Sequence, residues 1–353
     1  MRIHKKRSIP AFLSFDVEPD GFQVSQIDSP EWPGYGAMFE IAERLRSRLI
    51  ERSGATPRFG WYFRTDPQIA EVYGEAVAAL VEFPERIVHL KTKGDYFGVH
   101  PHPIRWSHSR QLWVHDIENR AWTAYCIKFA LEAFGRWQGS PAERFRAGGA
   151  NLTNTMIETL ESYGVKVELS LEPVKGWWLY SRDVATGIDS SPIIGRYTDC
   201  DTAPREVYRP ARDDFRVRGG RASRNIILIP CSTTPVRSER SGWSHCTALP
   251  VEEADQVNVL YPSIEWPSPE FFWDLVAERL RSMPNPYVSL GVRTDAPGSI
   301  LFARVRTILD ALPRHPLATC LRFEDPVDVA PNLLGSQIHT TLSAISPLRC
   351  NLW

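Results

Sequence analysis

Strand-like apolar runs alternate with helical patterns along most of this chain, and in its first half each run ends in polar residues suited to hydrolytic chemistry. Ala11-Phe12-Leu13-Ser14-Phe15 leads into Asp16-Val17-Glu18-Pro19-Asp20. Tyr96-Phe97-Gly98-Val99 leads into His100-Pro101-His102, and Glu143-Arg144-Phe145 leads into Arg146-Ala147-Gly148-Gly149. Where strands alternate with helices, the C-terminal ends of several strands converge on one face of the sheet or barrel. Two acids, two histidines and an arginine are therefore expected to meet there, forming a hydrolytic site able to hold a metal.

The rhythm continues beyond these segments. Met38, Ile41, Ala42, Leu45 and Leu49 recur at helical spacing. Arg58 to Phe63 is a strand ending in Arg64-Thr65-Asp66-Pro67, and Pro67 suits the first turn of a helix running over Gln68 to Val81. Trp113 to Trp137 is one long amphipathic stretch. Asn151 to Tyr163 opens on Asn and Thr capping candidates, Gly164 closes it, and Val165 to Ser170 is the next strand. From Glu172 to about Arg224 the pattern lapses. Asn225 to Pro230 resumes as a strand, followed by an irregular stretch to Pro267. Phe271 to Met283 reads as helix, Tyr287 to Val292 as strand, Ile300 to Leu312 as helix and Ala318 to Phe323 as the last strand. Seven or eight β/α units suit a barrel better than an open sheet. The alternation favours a single α/β domain over residues 1–353, with long insertions near 172–224 and 231–267.

Composition narrows the classes. A hydrophobic fraction of 43% and an aromatic fraction of 11% can build a core, which excludes global disorder. A net charge of -1 gives no electrostatic argument for nucleic acid. The basic opening His4-Lys5-Lys6-Arg7 precedes Ile9 to Phe15, a run too short for a membrane span and without a small-residue cleavage site. Cysteines 126, 200, 231, 246, 320 and 350 contain no Cys-x-x-Cys pair and are expected to be reduced. A soluble cytoplasmic protein is the expectation.

Asp16 and Glu18 are two residues apart at a strand end, so on extended backbone both carboxylates address one point. Two such carboxylates repel unless a cation or proton lies between them, which points to a metal or a shared acid–base role. The alternative is a capping residue beside an arginine-paired one. His100 and His102 repeat the spacing. Two imidazoles so presented can hold one zinc-class ion; the alternative is a pair of loop histidines bonded to backbone carbonyls. Pro101 and Pro103 keep that segment extended. Arg146, ahead of small residues, can orient a carboxylate or form a structural salt bridge. Trp106 and His108 lie just beyond the histidines, in reach of the same cleft if the loop folds over it. Trp32, Trp106, Trp177 and Trp178 suit carbohydrate stacking, although most of twelve tryptophans in a barrel belong to its core.

Together the three segments resemble the polysaccharide deacetylase (NodB-homology) superfamily of carbohydrate esterases. Leu13-Ser14-Phe15-Asp16-Val17-Glu18 looks like the family's first motif, and Phe97-Gly98-Val99-His100-Pro101-His102 is similar to its second. Phe145-Arg146-Ala147-Gly148-Gly149, with Glu158-Thr159-Leu160 and Tyr163-Gly164-Val165 after it, looks like the third. Trp61-Tyr62-Phe63 matches the aromatic strand between the first two. The likeness covers residues 9–170 and continues only as β/α rhythm.

The resemblance implies a distorted (β/α)7-type barrel that hydrolyses an N- or O-acyl group, usually acetyl on an amino sugar, with one divalent metal such as zinc. By residue, it implies Asp16 as the base toward a metal-bound water, Glu18, His100 and His102 as ligands, and Arg146 orienting Asp16. Two departures stand out. The family usually spaces its histidines four apart, but position 104 is Ile, so His102 must substitute. The family's late Leu-x-His strand reads Val288-Ser289-Leu290-Gly291-Val292-Arg293-Thr294-Asp295 here. Arg293 or Asp295 then serves as leaving-group acid or substrate anchor, or His108 swings in, or the acid is absent. The expected function is deacetylation of a small-molecule amino sugar or glycan precursor, with no nucleic acid and no membrane span. The alternatives are a metal-free hydrolase of another amide or C–N bond, and a non-catalytic binding protein on a degenerate deacetylase scaffold.

Overall fold

A computed structural model of the protein describes residues 8–20, 31–174, 193–238, 246–248, 256–295 and 297–334. The strands in chain order begin with β1 (Ile9–Val17), β2 (Gly60–Phe63), β3 (Tyr96–Val99), β4 (Ile104–Ser107) and β5 (Leu112–Asp116). Next come β6 (Arg144–Phe145), β7 (Val167–Glu168), β8 (Ile193–Ile194), β9 (Ile227–Leu228) and β10 (Thr233–Ser238). The last are β11 (Cys246–Ala248), β12 (Gln256–Val259), β13 (Val288–Arg293) and β14 (Leu321–Phe323).

Seven parallel strands run in the order β13-β1-β2-β3-β6-β7-β9, and β14 pairs with the start of β1. β1 pairs with three strands, β13, β2 and β14, and its apolar residues from Ala11 to Val17 are buried on both faces, as a parallel strand between helices and a barrel interior requires. The chain just past β9 returns to β13. There Ser232 N–H donates to the Ser289 carbonyl at 2.9 Å, and Ser289 N–H donates to Ser232 Oγ at 2.9 Å. These bonds curl the sheet into the distorted seven-stranded barrel expected from the sequence.

The period of two along a strand sorts its side chains. Leu13, Phe15 and Val17, with Trp61 and Phe63, face outward into the large core shared with the helices Pro33–Ser53 and Arg120–Gln138. Phe12, Tyr62, Tyr96, Val167, Ile227 and Tyr287 fill one end of the barrel interior, and the helix Pro326–Leu333 packs on them through Val327, Val329 and Ala330. Positions 14, 16, 64, 98, 100, 144, 146, 289, 291 and 293 share the inward parity. The interior is therefore apolar at the N-terminal ends of the strands and polar at their C-terminal ends.

Three local expectations change. The amphipathic stretch Trp113 to Trp137 divides into a strand and a helix. Trp113 and Ile117 are in helical phase, but Leu112–Asp116 forms β5, paired with β4 and β8, and the helix starts only after Asn119, whose side chain accepts from Trp122 N–H. Gln68 to Val81 is two helices, Pro67–Tyr73 and Ala78–Glu82, because Gly74 turns left-handed at φ +72°. The stretch read as irregular to Pro267 carries a small antiparallel sheet, β11-β10-β12. No helix among the described residues is long and apolar enough to cross a membrane.

Candidate metal and hydrolytic site

Glu18, His100 and His102 converge. One ligand atom from each lies within 4.8 Å of the others, and all three side chains are buried. Glu18 Oε1 is 3.4 Å from His100 Nε2, Glu18 Oε2 is 3.4 Å from His102 Nε2, and the two Nε2 atoms are 3.2 Å apart. His100 Nδ1 lies 3.1 Å from the Arg146 carbonyl oxygen. A carbonyl only accepts, so Nδ1 carries the proton and Nε2 presents its lone pair to the cluster.

Asp16 is adjacent, its Oδ1 at 3.8 Å from His100 Nδ1. Arg146 grips it with two bonds: Nε donates to Oδ1 at 2.7 Å and Nη2 to Oδ2 at 3.1 Å. Nη1 of the same arginine donates to the Leu169 carbonyl at 2.6 Å. Gly291 makes room for this guanidinium, because a Cβ there would overlap Arg146 Nη2. Gly148 does the same for His102, whose ring occupies the space a Cβ would need.

At the mouth, Arg293 is the exposed member, with 34% of its side chain accessible. It donates to Asp295 through Nε at 3.0 Å and Nη2 at 2.8 Å, and its Nε is 3.4 Å from Glu18 Oε1. Burial alone would raise the Glu18 carboxyl. The charge of Arg293 first, with the two nearby imidazoles assisting, outweighs it and holds Glu18 well below the usual carboxylate range. Burial keeps the His102 imidazole well below its ordinary value against the pull of Glu18. Burial raises Asp295, with Arg293 opposing and Glu18 assisting. The donor set is thus a carboxylate and two imidazoles, with His100 pinned through its second nitrogen by a backbone carbonyl. That chemistry fits a divalent ion of the zinc class.

Comparison with known proteins places this architecture. No family model and no curated protein matches the sequence. Among solved structures, a Parabacteroides distasonis protein described as a glycoside hydrolase/deacetylase superposes with a TM-score of 0.52 at 12% identity, over 92% of this chain and 71% of that one. The chain shares the distorted (β/α) barrel fold of that protein. A polysaccharide deacetylase of Mycobacterium smegmatis aligns over 98% of both chains at a TM-score of 0.45 and 12% identity. The allantoinase PuuE aligns over 96% of this chain and 94% of its own at 0.47 and 11%. At such identities the likeness is one of architecture, and the chemistry of this chain rests on its own side chains.

All seven residues singled out in the sequence (Asp16, Glu18, His100, His102, Arg146, Arg293 and Asp295) lie in this one cluster. Ile104 is buried at the start of β4, and it is His102 that joins His100 and Glu18. His108 occupies the exposed hairpin turn between β4 and β5. Trp32 is core, packed on Tyr73 with ring centroids at 5.4 Å, and Trp106 packs edge-on against Trp113. Trp177 and Trp178 lie outside the described residues.

Sequence reasoning passed over several buried polar groups around the site. Arg64 and Asp66 end β2 as the other motifs end theirs, so strand position was the available signal. Glu168 and Ser170 end β7 in the same way. The Ser170 hydroxyl donates to Glu168 and accepts from Ala147 N–H, tying the Arg146 segment to β7. Burial pushes Glu168 up to about 7, against the Ser170 hydrogen bonds and the charge of Arg146. His115, its ring centroid 5.4 Å from that of His102, lies inside the stretch read only as amphipathic.

Proposed function

We propose that this chain is a metal-dependent hydrolase that removes an N- or O-acyl group, acetyl foremost, from an amino sugar or glycan precursor. The observation carrying this reading is the convergence of Glu18, His100 and His102 beside an aspartate clamped by a buried arginine. In it, Glu18, His100 and His102 hold a divalent ion, with zinc favoured by the imidazole-rich donor set. Such an ion would polarise the acyl carbonyl and lower the pKa of water, which makes acyl hydrolysis feasible near neutral pH.

The remaining work falls to side chains. Asp16 accepts the proton of the attacking water, with Arg146 fixing its two oxygens so that the carboxylate does not rotate away. Asp295, its carboxyl raised by burial, returns a proton to the leaving nitrogen or oxygen, and Arg293 anchors Asp295 while facing solvent. This pair stands where the family's late histidine is missing. We take the location as cytoplasmic, so the substrate is a soluble or lipid-linked sugar precursor rather than an assembled wall polymer.

The test is metal content by elemental mass spectrometry on untagged protein, beside a His100→Ala/His102→Ala variant, followed by a screen of acetylated sugars for acetate release. About one zinc-class ion per chain, lost in the variant, together with acetate release, supports the proposal. Absence of metal after reloading removes it in favour of a metal-free hydrolase or a non-catalytic scaffold.

A further inference from the structure

The histidine spacing poses a geometric problem. His100 directly follows β3, and its N–H donates to the Phe63 carbonyl at 2.8 Å, so the sheet fixes it. His102 lies two residues past the strand, in a segment bounded by Pro101 and Pro103 that have no N–H to give to a ladder. The carbonyls on either side of it are held, Pro101 accepting from Gly148 N–H at 2.9 Å and Pro103 from Asp116 N–H at 3.0 Å. The amide of His102 itself is held by Asp66, whose Oδ2 accepts from it at 3.1 Å.

Asp66 is itself held on three sides. Arg64 Nε donates to its Oδ2 at 2.8 Å and Arg64 Nη2 to its Oδ1 at 3.0 Å; both side chains are fully buried. Arg64 Nη2 also donates to Gln68 Oε1 at 2.6 Å, and Asp66 Oδ1 accepts from Ile69 N–H as the cap of the helix Pro67–Tyr73. The same short segment touches the opposite ligand strand, because Arg64 N–H donates to the Val17 carbonyl at 3.3 Å, between Asp16 and Glu18. Residues 63–66 thus bridge the backbone that carries Glu18 and the backbone that carries His100 and His102.

We infer that Asp66, locked by Arg64, is a positioning residue that sets His102 at ligand distance from Glu18 and His100. This rests on the metal-binding reading of those three residues and assigns a role to a pair that touches neither ion nor substrate. A buried ion pair is weak evidence for stability on its own account. A carboxylate that spends one oxygen on the amide of a ligand residue has a positional use, and such supporting contacts are commonly worth 10- to 100-fold in metal affinity.

The experiment compares zinc dissociation constants by competition with a chromophoric chelator, the visible spectrum of the cobalt-substituted protein, and the melting temperature of the metal-free protein. Asp66→Ala is set beside Ser268→Ala. Ser268 caps the helix Pro269–Ser282 by accepting from Phe271 N–H, so its loss removes a helix cap without touching the ligand segment. We expect Asp66→Ala to weaken zinc by roughly 10- to 100-fold and to alter the cobalt bands, while Ser268→Ala changes melting alone. Asp66→Asn keeps one oxygen acceptor, tests the same point if the alanine variant does not fold, and should weaken zinc by roughly tenfold. Zinc affinity within threefold of wild type in the folded Asp66 variants, or an equal loss in Ser268→Ala, overturns the inference and leaves the metal reading standing. A wild-type protein that binds no zinc overturns both.

Discussion

Glu168 offers a direct measure of how the barrel interior treats charge. Its carboxyl is fully buried at the end of β7, and burial pushes it up to about 7 from an ordinary 4.5. The folded chain therefore prefers the neutral acid. Stability from this group is fully present below about pH 4.5 and is lost as pH rises through about 7. With about 1.36 kcal/mol for each pH unit between those limits, the group costs roughly 2.5 kcal/mol on going from about pH 5 to about pH 8. That is a sizeable share of the ~5–15 kcal/mol by which domains are stable. Glu168→Gln removes the titration and keeps Oε1 as acceptor for the Ser170 N–H, which donates to it at 2.5 Å. The new amide faces Leu171 N–H, which now donates to Glu168 Oε2 at 3.3 Å, so a fixed penalty independent of pH is expected. The assay is urea unfolding followed by tryptophan fluorescence, at matched salt, for both proteins at the two pH values. Wild type should lose about 2.5 kcal/mol relative to the variant between them. A difference that stays constant within roughly 0.5 kcal/mol would refute the reasoning, because Glu168 would then titrate alike folded and unfolded.

Other outcomes follow from the same geometry. Asp16→Asn should retain the metal by elemental analysis while acetate release falls by roughly 10²- to 10⁴-fold, the usual weight of a general base; loss of metal with activity would make Asp16 a ligand instead. Gly148→Ala should destabilise the fold by about 1–3 kcal/mol and weaken zinc, since its Cβ drives into the His102 ring. Gly298→Ala, with open space around the same atom, should be nearly neutral in both unfolding and zinc titration. Zinc at a hundredfold excess over its dissociation constant should stabilise the wild type by about 2.7 kcal/mol, and a chelator should remove that gain. His100→Ala should show neither effect in a thermal shift assay.

Much of the site was legible because it is written in strand-end residues. Asp16 with Glu18, and His100 with His102, declare their shared direction through spacing alone, and the barrel honours it. Arg146 was visible as a cation at a strand end, but its grip on Asp16 spans 130 residues of chain and depends on sheet order. His115 was obscured by an apolar phase that strand and helix share over five residues. Arg64 and Asp66 sat at a strand end like the rest, yet nothing local says that an aspartate there will meet the amide of residue 102.

The sequence by itself determined the donor types, the parity that turns them inward, and the prolines and glycines that shape their loops, since these are properties of a few consecutive residues. Tertiary structure alone decided that Arg146 clamps Asp16, that His100 shows Nε2 to the cluster, that Arg293 and Asp295 stand at the mouth, and that Glu168 favours its proton. Each of these depends on distances and burial created when the sheet closes through Ser232 and Ser289, and electrostatic energies in a dry interior follow those distances rather than neighbours in the chain.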